Sequence, residues 1–246
     1  MNKKLAAIIL AAGKGKRMNA KSVNKVAMPL ADKPMIIHTI ELLEKLGIGQ
    51  IIVVVGFAKS SIINILGQKV MFAEQSKRLG TAHAVICGIK KISKNTQNVL
   101  VLNGDDSAFY TKEIIQRLVE KHLATNASFT FLTIEKDNPY GLGRVLRDNN
   151  GNVKSIIEEK DASTIQRRTK EINPGCYIFS LKFLETYLPK VKKSSVTKEY
   201  YLTSLIDIGI KNGEKIETVQ AGAIAWRGIN TKEELEQAQK LFQDIK

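Results

Sequence analysis

Residues 10–18 read Leu-Ala-Ala-Gly-Lys-Gly-Lys-Arg-Met and come directly out of an apolar run, Leu5 to Leu10. Two glycines and three cations within that space bring bare backbone N–H groups and positive charge against one anion, so Ala12 to Gly15 with Arg17 form a candidate phosphate cradle. An ordinary strand-to-helix turn is the plainer alternative. The Gly-x-x-x-x-Gly-Lys-Ser/Thr spacing is absent, and Gly13-x-Gly15 is followed by Met18 where a dinucleotide fingerprint has its third glycine. A second stretch, Asn103-Gly104-Asp105-Asp106-Ser107, follows the apolar Val99 to Leu102. Carboxylates facing a phosphate cradle repel it unless a cation lies between them, and Mg²⁺ with its oxygen ligands suits that gap. Gly-Asp-Asp is also good turn chemistry, and the residues alone leave both readings open.

These stretches need a scaffold, and the chain has the material for one. Its 246 residues are 43% hydrophobic, enough to bury a substantial core. No apolar run approaches the ~18 residues of a membrane span. The opening MNKKLAAIILAAG has the outline of a secretory signal, but Lys14, Lys16 and Arg17 stand where a cleavage region is uncharged. Cys87 and Cys176 lie far apart without ligand companions, and His38, His83 and His122 are scattered, so thiols and imidazoles read as packing or surface residues. A cytoplasmic protein is expected. The formal charge of +14 favours anionic ligands, while only 6% aromatic residues argues against a single-strand nucleic-acid groove.

Short β-branched runs alternate with helical periods through the first half: AAIIL, PMIIHTIELLEKLG, IIVVVGF, SSIINILG, VMFAE, TAHAVICGIKKI, NVLVLNG and TKEIIQRLVEKHL. This is the pattern of βαβ units and predicts an α/β, Rossmann-like, doubly wound, mostly parallel sheet. Pro34 is expected in the first turn of its helix and Gly47 at its end. Beyond residue 127 come SFTFLTIE, a hairpin around Asn149-Asn150-Gly151-Asn152, a single strand in EINPGCYIF, helices in KFLETYLP and KEYYLTSLIDIGIKNG, a strand in KIETVQA and a closing helix in TKEELEQAQKLFQDI. Residues 1–246 read as one unit, with 1–126 a nucleotide-binding half and 127–246 a sugar-binding half with closing helices. Ligands of such sheets sit beyond the carboxyl ends of the strands, where both candidate loops lie.

The residues as a set resemble the sugar-1-phosphate nucleotidyltransferases, most closely the uridylyltransferase domain of the bifunctional N-acetylglucosamine-1-phosphate uridylyltransferases. The resemblance runs in order from Leu5 to about Leu241, through Leu10 to Met18, Lys25-Val26, Glu74-Gln75, Leu79 to Ala84, Gly104-Asp105, Tyr140 to Val145, Ile157 to Ala162, Glu171 to Asn173, Glu199 to Thr203 and Gly228 to Asn230. It implies the nucleotide-diphospho-sugar transferase fold and in-line attack of a sugar-1-phosphate oxygen on the α-phosphorus of a nucleoside triphosphate, with release of pyrophosphate. It further implies Arg17 and Lys25 as catalytic cations, and Leu10, Ala11, Ala12, Gly13, Gly15, Gln75, Gly80 and Thr81 as nucleotide-binding residues. Gly141, Glu158 and Asn173 would bind the sugar, and Asp105 with Asn230 would hold Mg²⁺. UTP and N-acetylglucosamine 1-phosphate are the implied substrates. CTP, dTTP, another phosphorylated acceptor, or a catalytically silent binding protein are the alternatives.

Departures from that family's pattern are visible. Asn24 stands where a proline is usual, which predicts a less rigid loop around Lys25. Asp105 is followed by Asp106-Ser107-Ala108 instead of an apolar residue, Pro and Leu, and Asn103 and Pro174 also differ. Hexapeptide repeats of a left-handed β-helix acetyltransferase half are absent from this sequence, which leaves nucleotidyl transfer as the expected activity and oligomeric state open.

Overall fold

The computed structural model describes residues 4–15, 18, 22–105, 107–222, 224, 226 and 228–243. The first half alternates as the periodicity predicts: β1 (Leu5–Ala11), a short hairpin of β2 (Pro29–Leu30) and β3 (Lys33–Pro34), α1 (Met35–Lys45), β4 (Gln50–Val55), α2 (Lys59–Leu66), β5 (Met71–Glu74), α3 (Thr81–Ile89), β6 (Asn98–Asn103) and α4 (Lys112–Thr125). The strands lie in the order β5, β4, β1, β6, and every neighbouring pair among them is parallel. The winding therefore reverses between β1 and β6, and a crevice opens beyond their carboxyl ends.

β1 shows why such strands read as unbroken apolar runs. Ala7, Ile9 and Ala11 enter one core with α1, α4 and α7 (Lys232–Gln243), while Ala6, Ile8 and Ala12 enter the other, with α3, α5 (Leu181–Tyr187) and α6 (Ser204–Lys211). Both faces of the sheet are covered, so neither side of the strand is left to polar residues.

The second half adds β7 (Phe129–Glu135), β8 (Gly143–Arg147), β9 (Val153–Ile157), β10 (Glu171–Asn173), β11 (Cys176–Ser180) and β12 (Ile216–Gln220). β11 is antiparallel to both β6 and β7, and β12 is parallel to β7, so the main layer contains one reversed strand. β8 and β9 form the predicted hairpin, which pairs through β10 to the outer part of β7.

Three local expectations are corrected. EINPGCYIF is not one strand: β10 and β11 both pair with β7, but five residues separate Ile172 from Tyr177 where three separate their partners Ile134 and Phe131. Pro174 lacks a ladder donor and Gly175 takes φ +81°, so the ladder breaks between them and the strand is offset. The helix in KEYYLTSLIDIGIKNG starts only at Ser204, because residues 200–202 are bonded to the start of α3: Tyr200 N–H donates to Leu79 and Leu202 N–H to Thr81 Oγ1, at 2.8 and 2.9 Å. Pro34 precedes α1 as its N-cap, one position earlier than expected, while Gly47 and Ile48 close the helix by donating to Glu44 and Leu43.

Candidate active site

A cleft of about 300 Å³ lies beyond the carboxyl ends of β1 and β6, and Leu10, Ala11, Gly13, Gly15, Lys25, Asp105 and Asn230 all line it. Gly104 brings Asp105 to this edge. A Cβ there would approach Val26 to 3.1 Å, Ile9 to 3.2 Å and the Leu10 carbonyl oxygen to 3.3 Å, so a larger residue would have to push these neighbours aside for the chain to turn this tightly against β1. Ala12 lies beneath the loop, 5% exposed, its carbonyl accepting the Phe57 N–H at 3.2 Å. Arg17 and Asp106 lie outside the described residues.

Lys25, Asp105 and Asn230, distant in sequence, meet at one point. The Lys25 ammonium is bonded to Asp105 Oδ2, to the Ile229 carbonyl oxygen at 2.6 Å and to Asn230 Oδ1 at 3.3 Å. Three oxygens thus converge on one positive charge. Asn230 is held there by the entry to α7, where Glu234 accepts the N–H groups of Asn230 and Thr231 at 2.5 and 3.0 Å and Thr231 Oγ1 accepts the Glu234 N–H at 3.1 Å. This reciprocal capping box fixes the backbone from which the Asn230 side chain projects.

The expectation of a less rigid loop at Asn24 is overturned. Asn24 is 1% exposed, its Nδ2 donates to the carbonyls of Ala11, Gly13 and Phe57 at 3.0, 3.2 and 2.8 Å, and its Oδ1 accepts the Val26 N–H at 3.1 Å. Its own N–H reaches Ser61 Oγ at 3.0 Å. A proline would stiffen one φ angle; the asparagine ties the cradle, the β4–α2 connection and the 3₁₀ turn of Lys25–Ala27 into one piece. Its amide escaped notice in the sequence because a lone Asn in a loop reads as turn chemistry.

Gln75, Gly80 and Thr81 stand at the carboxyl end of β5, two strands from β1, and line no part of the 300 Å³ cleft. Gly80 has φ +109°, and a Cβ there would lie 2.4 Å from the Tyr200 carbonyl oxygen, so the close crossing of residues 80 and 200 requires glycine. The Thr81 hydroxyl is engaged by the Leu202 N–H.

The three predicted sugar residues sit on the hairpin extension. Gly143 pairs with Asn173, and Glu158 Oε2 lies 3.6 Å from where a Cβ of Gly143 would be, so Asn173 and Glu158 flank the start of β8. Glu158 faces a second cavity of about 550 Å³, shared with Asp161, Tyr201, Thr203 and Asp207, and accepts the Thr203 hydroxyl at 2.9 Å. Loss of solvent pushes its carboxyl above the usual glutamate range; Asp161 and Glu199 add to this and the Thr203 hydrogen bond opposes it. Asn173 is directed elsewhere, with Nδ2 on the Tyr177 hydroxyl at 2.5 Å and Oδ1 on the Gly175 N–H at 3.1 Å, and it does not line this cavity. The Gly141 N–H is bonded at 3.1 Å to Glu159, which also pairs at 2.6 Å with Arg144, a side chain 2% exposed. Arg144, Glu159 and Thr203 carry no signal of their own in the sequence beyond lying inside blocks that match the family pattern.

The Nucleotidyl transferase family model matches residues 6–244. The chain is 42% identical over 238 residues to a bifunctional protein GlmU of Caldicellulosiruptor saccharolyticus, covering 96% of this chain and 51% of that protein. A bifunctional protein GlmU of Geobacillus sp. strain WCH70 is 41% identical, with 97% and 52% covered. The chain thus spans about half the length of the curated relatives it matches. A crystal structure from Bacillus anthracis assigned as a glucose-1-phosphate thymidylyltransferase, with sucrose bound, superposes with a TM-score of 0.83 over 98% of this chain and 96% of that one, at 22% identity, a likeness of fold.

Proposed function

Because the chain belongs to the nucleotidyl transferase family, we propose that it forms UDP-N-acetylglucosamine from UTP and N-acetylglucosamine 1-phosphate. A phosphate oxygen of the sugar phosphate attacks the α-phosphorus, the bond from that phosphorus to the bridging oxygen breaks, and pyrophosphate leaves with the electron pair. No covalent enzyme intermediate is needed, so the protein's work is alignment and neutralisation of charge.

The observation that carries this reading is the convergence of Asp105 Oδ2, Asn230 Oδ1 and the Ile229 carbonyl on the Lys25 ammonium, directly beside the glycine loop. That cation stands in for the divalent ion of the reading. The donors are all oxygens, as Mg²⁺ requires, and Asp105 and Asn230 would hold it with phosphates and water completing its shell. Among the described residues no cluster of three or more His, Cys, Asp or Glu offers a cage made of protein alone. Bound there, Mg²⁺ would draw charge from the reacting phosphate oxygens. Lys25 would then be shared between the α-phosphate and the sugar phosphate, the N–H groups of Ala12 to Gly15 would hold the triphosphate, and Arg17 would take its outer phosphates. Gln75, Gly80 and Thr81 would face the base. Gly141, Glu158 and Asn173 would meet the sugar.

No helix among the described residues is long and apolar enough to cross a membrane, which fits an enzyme working on small phosphorylated metabolites in the cytoplasm. The test is a pyrophosphate-release assay with UTP, CTP and dTTP against a set of hexose and hexosamine 1-phosphates in Mg²⁺. Turnover fastest with UTP and N-acetylglucosamine 1-phosphate is expected. No turnover with any pair would reject the proposal.

A further inference from the structure

Gln75 is 4% exposed, and its Nε2 lies 3.0 Å from the Gly80 carbonyl oxygen and 3.0 Å from Nδ1 of His83. A carbonyl oxygen only accepts, so the amide atom facing Gly80 must be the NH₂ group, which fixes the sense of the side chain. That group carries two protons. One goes to Gly80; the other goes to His83 Nδ1, which must then be the bare nitrogen of a neutral imidazole with its proton on Nε2. The donor capacity of Gln75 is exhausted. Its Oε1 accepts from no described residue and is not among the sealed, unpartnered buried atoms, which are Thr133 Oγ1 and Trp226 Nε1.

The Gln75 amide therefore presents an acceptor only. His83 is kept in place for this by the start of α3, where Ala82 N–H donates to the Tyr200 carbonyl at 3.0 Å and Gly80 is pressed against the same residue.

We propose that His83 is a positioning residue for base selection, a reading that rests on the nucleotidyl transfer above. By taking the second amide proton of Gln75 it leaves only an acceptor for ring position 3 of the pyrimidine, where uracil and thymine carry an N–H and cytosine, whose N–H groups are on the exocyclic 4-amino group, does not. Without the imidazole acceptor, the amide is held by Gly80 alone and can turn its second N–H toward the base, so a ring nitrogen with a lone pair becomes acceptable.

The experiment compares kcat/KM for UTP with that for 3-methyl-UTP and CTP in the wild type, His83→Phe and His83→Asn. Wild type should prefer UTP over both by at least ~100-fold, as a buried group left unpaired commonly enforces. In His83→Phe each ratio should fall about tenfold or more, with the change carried by KM for the nucleotide; His83→Asn, whose Oδ1 can accept, should restore most of it. Unchanged ratios in His83→Phe would overturn the proposal. Should that variant not fold, ¹⁵N NMR of the intact wild type decides: an Nε2–H ring with an accepting Nδ1 supports the proposal, and a proton on Nδ1 defeats it. Failure of the wild type to turn over UTP or any other triphosphate would reject the transfer reading instead, and the tautomer measurement would still report on His83.

Discussion

The phosphate end and the acceptor end of the candidate site are built on different principles. Beyond β1 and β6, parallel strands covered on both faces deliver main-chain groups and three side chains to one point, and Asn24 and the Thr231–Glu234 capping box hold the loops that carry them. Beyond β8 and β10, an antiparallel extension delivers side chains that are already paired, Glu158 with Thr203 and Asn173 with Tyr177. The first end can receive phosphates by releasing one side chain, Lys25, from Asp105, Ile229 and Asn230. At the second, a sugar phosphate bound as proposed would have to exchange partners with Glu158 and Asn173. On the proposed function, rigid chemistry and adaptable selection would fall on separate parts of one sheet.

The largest effect should come from breaking the convergence point. Asp105→Asn removes the negative charge facing Lys25 and the strongest oxygen donor, and turnover should fall by about a thousandfold, the scale of losing a leading transition-state electrostatic group. Its Tm should stay near that of the wild type, since the residue is at the edge of a cleft. A loss of less than about tenfold in a folded variant would separate the cleft from the chemistry.

The joint between the halves is the next target. His122 of α4 joins Thr130 of β7 at 2.9 Å to Asn98 of β6 at 3.1 Å, and burial lowers its pKa from 6.5 to about 4. Between those values the unfolded chain binds the extra proton and the folded one does not, so stability is highest above pH 6.5 and declines as pH falls toward 4. The full difference is on the order of 3 kcal/mol. Urea melts from pH 7 to 4 should show this slope in wild type and a shallower one in His122→Gln. Equal slopes would mean that the imidazole does not hold the two halves together.

Asn24→Ala should cost about 2–3 kcal/mol in urea denaturation, because it leaves buried carbonyls and the Val26 N–H without a partner. Turnover should drop about tenfold at saturating substrates as the Lys25 turn loosens. Asn24→Pro should regain turnover more than stability, since proline stiffens the loop and supplies none of those bonds.

How much of this was legible in advance divides along the same line. Periodicity marks β1, β4 and β6 and the helices between them because a parallel strand covered on both faces is apolar along its length, and the two candidate loops follow from where β1 and β6 end. Asn24 is opaque in the sequence because its worth lies in three carbonyls brought together only by folding. The split of β10 from β11 turns on a register slip that composition does not record, although Pro174-Gly175 marks its place. The role of Arg144 is hidden in the sequence because an arginine in a hairpin strand reads as surface, whereas here it is buried against Glu159. Single positions become legible when the backbone does the binding, and illegible when side chains from separate elements bind one another.

The acceptor end itself should give the smallest and most selective response. Glu158 is half-buried, and loss of solvent raises its carboxyl above the usual range, so the folded state favours the neutral form. The sign follows: this group's contribution is fully present below the pKa of an exposed glutamate and is lost as pH rises through the raised folded value. Glu158→Gln keeps the shape, cannot ionise, and still accepts from Thr203, so it should remove that loss and leave the protein at least as stable at neutral pH. Its effect on turnover should be about tenfold and confined to KM for the sugar phosphate, with KM for UTP unchanged, since the residue faces the 550 Å³ cavity and not the cleft beside Asp105. A rise in KM for UTP of the same size would show that the two ends are coupled through the start of β8, where Gly143 separates Glu158 from Asn173, and that the division between rigid and adaptable parts is drawn in the wrong place.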